Sequence, residues 1–146
     1  MGTKVREVMS PRPRSVTPQT PVNEVAELMA ADDVGAIPVV DGERLVGIVT
    51  DRDIVVRAIA KGKDTRGMPA SEVSSRELVT VDPEDDLSDA LQLMAQHQVR
   101  RLAVIDDHER LVGVVSQADV ALTAKEKHTG QLVEDISQPP QGPRTP

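Results

Sequence analysis

The feature that most constrains this chain is a nine-residue stretch that occurs twice. The first copy is Leu45-Val46-Gly47-Ile48-Val49-Thr50-Asp51-Arg52-Asp53, and the second is Leu111-Val112-Gly113-Val114-Val115-Ser116-Gln117-Ala118-Asp119. In each copy an apolar run of strand length ends in a hydroxyl residue, and a carboxylate follows three positions later. That pattern is typical of a strand that leads into a helix. The chain is therefore predicted to be a duplicated unit with two related strand-to-helix corners.

The repeat extends over most of the chain. Matching residues, such as Pro18 and Pro83, lie at a constant offset, which grows by one after an extra residue near Asp106-Asp107-His108. In the first half the pattern predicts a short strand, a helix from Thr20-Pro21 to Asp32, and a hairpin around Asp41-Gly42-Glu43. A last helix should follow Thr50 and stop at Gly62, and the second half should repeat this order. The expected fold class is α+β.

The predicted boundaries follow from the repeat and from composition. Residues 1–66 should form the first unit and residues 67–127 the second, with the polar segment 61–68 as the connector. Residues 128–146 are rich in proline and are predicted to be a largely disordered tail, apart from one helical turn at 131–136.

The composition excludes several kinds of site. The chain has no Cys, so it offers no disulfide, thiolate metal site or cysteine nucleophile, and its three His residues lack metal-ligand spacing. The carboxylate runs lie at predicted helix starts, which the helix dipole explains, so we expect neither a metal nor an enzyme. A net charge of −7 argues against nucleic acid, and no run is long enough to cross a membrane. A cytoplasmic protein is expected.

Several motifs, taken together, point to one family. They are Val16-Thr17-Pro18 and Val81-Asp82-Pro83 before the first helices, residues 35–39 and 100–104 on the middle strands, and the two Gly-x-x-Thr/Ser-x-x-Asp corners. With this arrangement the sequence resembles a tandem pair of CBS domains, also called a Bateman module. It is similar to small stand-alone CBS proteins of the hypoxic-response type. The resemblance implies two domains of order β-α-β-β-α, related by a pseudo-two-fold axis and associating as a homodimer.

The same resemblance implies a ligand. CBS pairs bind adenosine-containing molecules such as AMP, ADP, ATP, S-adenosylmethionine or NAD in the cleft between the domains, and no cofactor is required. Asp53 and Asp119 can accept hydrogen bonds from ribose hydroxyls, while Thr50 and Ser116 can contact phosphate or ribose at a helix amino terminus. The adenine pocket implied by the family contains Val16, Thr17, Pro18, Ala36, Ile37, Pro38, Val81, Asp82, Pro83 and Leu102.

Two consecutive arginines are the best phosphate ligands that the sequence offers. Arg100 and Arg101 lie at the start of a predicted strand, where neighbouring side chains point to opposite faces, so one at most should enter the cleft. The matching residues of the first half are Gly35 and Ala36, and the two sites therefore cannot be equivalent. A solvated strand or an ion pair at a dimer interface would equally account for both arginines.

The corners also have a purely structural interpretation, because Thr/Ser-x-x-Asp at a helix start is a capping arrangement. The leading hypothesis is a non-enzymatic regulatory protein, a sensor in which an adenosine-containing nucleotide bridges the two domains. The alternatives are a ligand-free homodimeric scaffold and a regulatory subunit that acts on another protein. Dimerisation is expected in each case, because the apolar positions of residues 54–59 and 120–122 need to be covered.

Overall fold

The structure is a computed structural model that describes residues 2–123. Single 3-10 turns at Val5–Glu7 and Ala70–Glu72 precede the two halves. The strands and helices in chain order are β1 (Ser10–Pro11), α1 (Val22–Asp32), β2 (Ala36–Asp41), β3 (Arg44–Thr50), α2 (Asp51–Ile54), β4 (Thr80–Val81), α3 (Leu87–His97), β5 (Arg101–Ile105), β6 (Leu111–Ser116) and α4 (117–123). This order confirms the predicted α+β fold. The tail predicted at 128–146, with its helical turn at 131–136, lies outside the described residues.

The first helix of each half begins and ends in the same way. α1 starts at Val22, two residues after Thr20, because the Thr20 hydroxyl accepts the backbone N–H of Thr17 at 3.0 Å and so serves the preceding turn. α1 is followed by Asp33 with a φ of 54°, and α3 by Gln98 with a φ of 55°. These left-handed residues turn the chain from helix to strand at equivalent positions of the repeat.

α2 continues into a wider turn than the sequence predicts. From Val55 to Ile59 the helix has π-type hydrogen bonds, in which Ala60 donates to the Val55 carbonyl at 2.8 Å and Lys63 to the Ala58 carbonyl at 3.0 Å. The helix ends at Ile59, three residues before the predicted stop at Gly62, which lies in the following turn with a φ of 67°. π-type turns are rare and frequently occur at functional sites.

Each half completes its sheet with a segment from outside its own repeat. In the first half, β2 and β3 pair antiparallel, while Val16 lies beside Val39 and Ser75 lies beside Ile48. The second half has the equivalent strand order β4-β5-β6-β1, so that its edge strand comes from the amino terminus of the chain. Residues 68–75 thus cover the first half, and residues 3–11 cover the second.

The two hydrophobic cores follow this exchange. The first core gathers α1, β2, β3 and α2 with Met68, Ala70 and Val73, and the second core includes Val5, which is fully buried. These contacts cross the position 66/67 at which we predict the domain boundary. The predicted units 1–66 and 67–127 are thus joined by apolar packing as well as by the connector.

The glycine of the repeated stretch is explained by these segments. A Cβ atom on Gly47 would lie 3.1 Å from the Ser74 hydroxyl and 3.3 Å from the Ser75 carbonyl oxygen. A Cβ atom on Gly113 would lie 3.0 Å from the Ser10 carbonyl oxygen. The glycine therefore admits the backbone of the covering segment close to the strand.

The halves also contact each other through their hairpins, and this contact is reciprocal. Leu45 donates its N–H to the Glu109 carbonyl at 3.1 Å, and Leu111 donates to the Glu43 carbonyl at 3.0 Å. The pairing of Arg44 with Arg110 in this contact is antiparallel. β3 and β6 consequently run away from the hairpin contact in opposite directions. The corner that follows β3 and the corner that follows β6 therefore lie on opposite sides of this contact.

Candidate functional site

The two corners have the same hydrogen bonds. At the first, Asp53 donates its backbone N–H to the Thr50 hydroxyl at 3.0 Å, and Thr50 donates its N–H to Asp53 Oδ2 at 2.9 Å. At the second, Asp119 donates to the Ser116 hydroxyl at 3.0 Å, and Ser116 donates to Asp119 Oδ2 at 3.3 Å. Each corner is thus a capping box with Asp in the place of the usual Glu. The capping interpretation of the sequence is confirmed.

Capping leaves one carboxylate oxygen of each aspartate outside the box. The Asp53 side chain is 15% exposed, and its Oδ1 lies 3.9 Å from Arg57 Nε, one helical turn further on. The matching residue in the second half is Thr123, and no Lys or Arg among residues 2–123 pairs with Asp119. A carboxylate oxygen has two acceptor positions, so Asp119 Oδ1 can accept hydrogen bonds while Oδ2 caps the helix.

Strand pairing places one predicted arginine beside the second corner. Arg101 pairs directly with Ser116, and the equivalent pair of the first half is Ala36 with Thr50. Directly paired residues present their side chains on the same face of a sheet, so the Arg101 side chain shares the face of Ser116. Arg100 and Arg101 are both exposed, and neither forms an ion pair within the described part of the chain.

The surroundings of the two corners differ in charge. A Cβ atom on Gly35 would lie 3.2 Å from Asp51 Oδ2, so the first corner has a second carboxylate packed over its strand. The matching residues of the second half are Arg100 and Gln117, and Gln117 donates its N–H to the Arg100 carbonyl at 2.8 Å. The first corner is therefore the more acidic and the second the more basic.

Four residues of the expected adenine pocket are core residues. Val16, Ile37, Val81 and Leu102 are at most 5% exposed, so the structure packs these four residues into the cores and leaves almost none of their surface open to a ligand. Val16 pairs with Val39, three residues along β2 from Ala36, which corresponds to about 10 Å of strand. The structure brings Ala36 and Arg101 to the corners and places Val16 and Val81 further along the strands.

The remaining residues of that set belong to the turns before the helices. Thr17 and Asp82 each donate the backbone N–H to a side chain three positions on, at 3.0 Å and 2.9 Å. The carbonyl of Pro18 accepts from Ser71 at 3.0 Å, and that of Pro83 accepts from Arg6 at 2.9 Å. Pro38 is buried. These turns therefore hold the covering segments.

A cavity of about 430 Å³ lies next to the first corner but contains none of the residues that the sequence predicts for the site. Its lining residues are Arg57, Lys61, Lys63, Met68 and Glu72. Arg57 connects the cavity to Asp53 and also donates to the Val73 carbonyl at 3.4 Å. Sequence reasoning missed Arg57, although its position four residues after Asp53 on a predicted helix was the available signal.

Two carboxyl groups away from the corners have perturbed titration. Hydrogen bonds from the backbone N–H groups of Arg110 and His108, with the guanidinium of Arg110, lower the pKa of Asp106. Hydrogen bonds from the side chain and then the backbone N–H of Arg66 lower the pKa of Asp64. Within residues 2–123 no three His, Cys, Asp or Glu residues are grouped so that they could hold a metal ion. No helix of that range is long and apolar enough to span a membrane.

Comparison with known proteins identifies the class that this fold and these corners define. The CBS domain family matches residues 5–59 and 70–125, so the chain belongs to that family and carries two CBS domains in tandem. It is 43% identical over 136 residues to the CBS domain-containing protein YhcV of Bacillus subtilis, covering 92% of this chain and 96% of YhcV. It is 36% identical over 138 residues to Hypoxic response protein 1 of Mycobacterium tuberculosis, covering 94% and 96%. The predicted resemblance is confirmed.

Solved CBS structures share the fold. Hypoxic Response Protein I with two coordinated zinc ions has a TM-score of 0.76 and 37% identity, covering 82% of this chain and 98% of that one. CBSX2 in complex with AMP has a TM-score of 0.77 and 28% identity, covering 87% and 99%. The CBS pair of MJ0100 with 5-methylthioadenosine and S-adenosyl-L-methionine has a TM-score of 0.74 and 26% identity, covering 87% and 99%.

Proposed function

We propose that this protein is a non-enzymatic regulatory protein that binds adenosine-containing ligands at its two corners, in the cleft between the CBS domains. The observation that carries the proposal is the second corner, where Asp119 Oδ1 stays outside the capping box and Arg101 pairs with Ser116. The solved CBS pairs with AMP and with S-adenosyl-L-methionine support this class of ligand.

The corner chemistry suits a nucleoside. A carboxylate beside a helix amino terminus can accept hydrogen bonds from both ribose hydroxyls, as acidic residues do in dinucleotide-binding folds. The Ser116 hydroxyl accepts from Asp119 N–H, and its own proton remains available for a ligand oxygen. Capping and ligand binding therefore use different atoms of the same two side chains.

The difference in charge between the corners predicts different ligands. Arg101 favours a phosphate at the second corner, as in AMP, ADP or ATP. Asp51 and Asp53 disfavour a phosphate at the first corner, and Arg57 competes there for Asp53 Oδ1. The first corner is better suited to an adenosine compound without phosphate, such as S-adenosylmethionine.

A ligand-free homodimeric scaffold, or a regulatory subunit acting on another protein, is the second candidate. The observation that favours it is the exposed apolar surface of the second helices, where Val55 is 56%, Ile59 is 59% and Leu122 is 60% exposed. Such a surface needs a cover, and a second copy of the chain can provide it. Dimerisation is part of both candidates, so ligand binding is what separates them.

The test compares wild type with Asp119→Asn and Asp119→Ala in thermal unfolding with AMP. A ligand at 100 times its Kd stabilises a protein by about 2.7 kcal/mol, so wild type should show a clear rise in Tm. Asp119→Asn keeps an oxygen that can cap the helix but loses the carboxylate, so the AMP-dependent rise should disappear while the fold remains. Asp119→Ala should lose the rise and also the cap.

The matched controls are Arg101→Ala and Arg76→Ala, since both arginines are exposed and only Arg101 lies at a corner. Arg101→Ala should weaken the binding of AMP more than that of 5-methylthioadenosine, which has no phosphate. Arg76→Ala should leave the affinity for both ligands unchanged. Wild type that no adenosine compound stabilises at millimolar concentration would favour the scaffold.

A further inference from the structure

Each half has a face that a separate segment of the chain covers. In the first half this segment is residues 68–75, which follow α2 directly in the chain. Val22 donates its N–H to the Met68 carbonyl at 2.8 Å, Ala70 donates to the Thr20 carbonyl at 2.8 Å, and Ser75 donates to the Ile48 carbonyl at 2.9 Å. The first domain thus docks the segment that comes immediately after its own last helix.

The second half uses the same face for a segment from the opposite end of the chain. Leu87 donates to the Thr3 carbonyl at 2.8 Å, and Val5 donates to the Asp85 carbonyl at 2.9 Å. These bonds are equivalent, through the repeat, to those of Met68 and Ala70 in the first half. Residues 3–11 therefore occupy the position that, by analogy with the first half, belongs to the segment after α4.

The sequence after α4 repeats both the connector and the docking segment. Residues 124–129, Ala-Lys-Glu-Lys-His-Thr, match residues 60–65, Ala-Lys-Gly-Lys-Asp-Thr. Residues 133–139, Val-Glu-Asp-Ile-Ser-Gln-Pro, then match residues 5–11, Val-Arg-Glu-Val-Met-Ser-Pro, with valine and proline in the same places. The chain thus contains three copies of the docking sequence and two faces to receive them.

We propose that residues 131–138 compete with residues 3–11 for the docking face of the second CBS domain. The first domain provides the precedent for this competition. Its docking face binds residues 68–75, which follow its own last helix, and residues 131–138 follow the last helix of the second domain in the same way. Val133 matches Val5, the fully buried residue by which the amino-terminal segment enters the second core. The occupant of the face then sets whether the amino terminus or the carboxy-terminal segment is free for other contacts.

Charge decides which segment is favoured. Lys4 lies 3.3 Å from Asp86, and Arg6 lies 2.9 Å from Glu84, so the amino-terminal segment brings two cations to an acidic face. The carboxy-terminal copy has Glu134 at the position of Arg6, and it would place a carboxylate beside Glu84. The amino-terminal segment is therefore the main occupant of the face at low salt. Added salt screens these charges and reduces the difference in docking free energy between the two segments.

Disulfide trapping in the full chain tests the competition, because the protein has no cysteine of its own. Ser10 pairs with Val114, and Gln138 matches Ser10, so Gln138→Cys with Val114→Cys reports docking of the carboxy-terminal segment. Ser10→Cys with Val114→Cys reports the amino-terminal segment. Ile48→Cys with Ser75→Cys is the matched control for a segment that has no competitor.

The charge swap Arg6→Glu with Glu134→Arg should then reverse the preference. The fraction of intrachain disulfide from the Gln138 and Val114 pair should rise about fivefold to tenfold, the change that a few exposed charge pairs produce, while that from Ser10 and Val114 falls. Arg6 is exposed in the structure, and circular dichroism verifies that the swapped chain is folded. A disulfide fraction that the swap leaves unchanged, or a disulfide that joins two chains instead of one, would overturn the proposal.

Discussion

Adding one methyl group at Gly113 should destabilise the protein through the amino-terminal segment. In Gly113→Ala the new Cβ would lie 2.5 Å from Met9 Sδ and 3.0 Å from the Ser10 carbonyl oxygen. The Met9 side chain can move, but the Ser10 carbonyl belongs to the backbone of β1, so the strand itself must shift. Overpacking of this kind costs about 1–3 kcal/mol.

The net effect also includes the unfolded chain. Alanine lowers the conformational entropy of the unfolded chain relative to glycine, and this stabilises the folded protein by about 0.4–1 kcal/mol. Taking the middle of each range, the expected loss is about 1.3 kcal/mol, or about 4 °C in Tm for a chain of this length. Circular dichroism is the suitable assay, because the chain has no Trp or Tyr for fluorescence.

Two other glycines serve as controls in the same measurement. Gly47→Ala would place its Cβ 3.1 Å from the Ser74 hydroxyl and 3.3 Å from the Ser75 carbonyl oxygen. Because this backbone contact is longer than the 3.0 Å contact at Gly113, the loss of stability should be smaller. Gly67 has no atom within 4 Å of a new Cβ, and Gly67→Ala should be neutral or slightly stabilising. Equal stability of Gly113→Ala and Gly67→Ala would refute the close approach of β1 to β6.

Further expectations concern a cap, a turn and an exposed helix face. Thr50→Ala removes the acceptor of the Asp53 N–H and should lower the unfolding free energy in urea by about 1 kcal/mol. Asp106→Asn should destabilise the protein at neutral pH. Because folding lowers the pKa of Asp106, its contribution is complete above the unfolded pKa of about 4 and is lost as pH falls from there through the lower folded pKa, below which variant and wild type should unfold alike. Ile59→Glu should convert the proposed dimer to monomer in analytical ultracentrifugation, whereas Leu91→Glu, 39% exposed on α3, should not.

The sequence predicts the elements of each half because their signals are local. The period of Val22, Val25 and Met29 defines α1, and the Asp41-Gly42 pair defines the hairpin turn, where Gly42 has a φ of 67°. The π-type turn at 55–59 could not be predicted, because Val55, Val56 and Ile59 fit an α-helix equally well. This π-type turn is the last turn of the helix before Gly62.

What the sequence could not reveal depends on long-range pairing. Val5 and Met9 have the pattern of an isolated helical turn, and nothing nearby indicates that they pack against β6 in the other half. At the corners, the spacing of Thr50 and Asp53 predicts their bonds, but the different roles of Oδ1 and Oδ2 depend on Arg57 and on strand register. The pairing of Arg101 with Ser116 likewise required the register of β5 and β6.

The origin of β1 at the amino terminus affects how the protein folds during its synthesis. Ser10 leaves the ribosome about 100 residues before its partner Val114, which at 5–20 residues per second is a delay of about 5–20 s. The first domain waits far less, since Ser75 emerges soon after Ile48. For several seconds the nascent chain should therefore have a folded first domain and an unpaired β1. During this period a chaperone or a neighbouring nascent chain can bind β1.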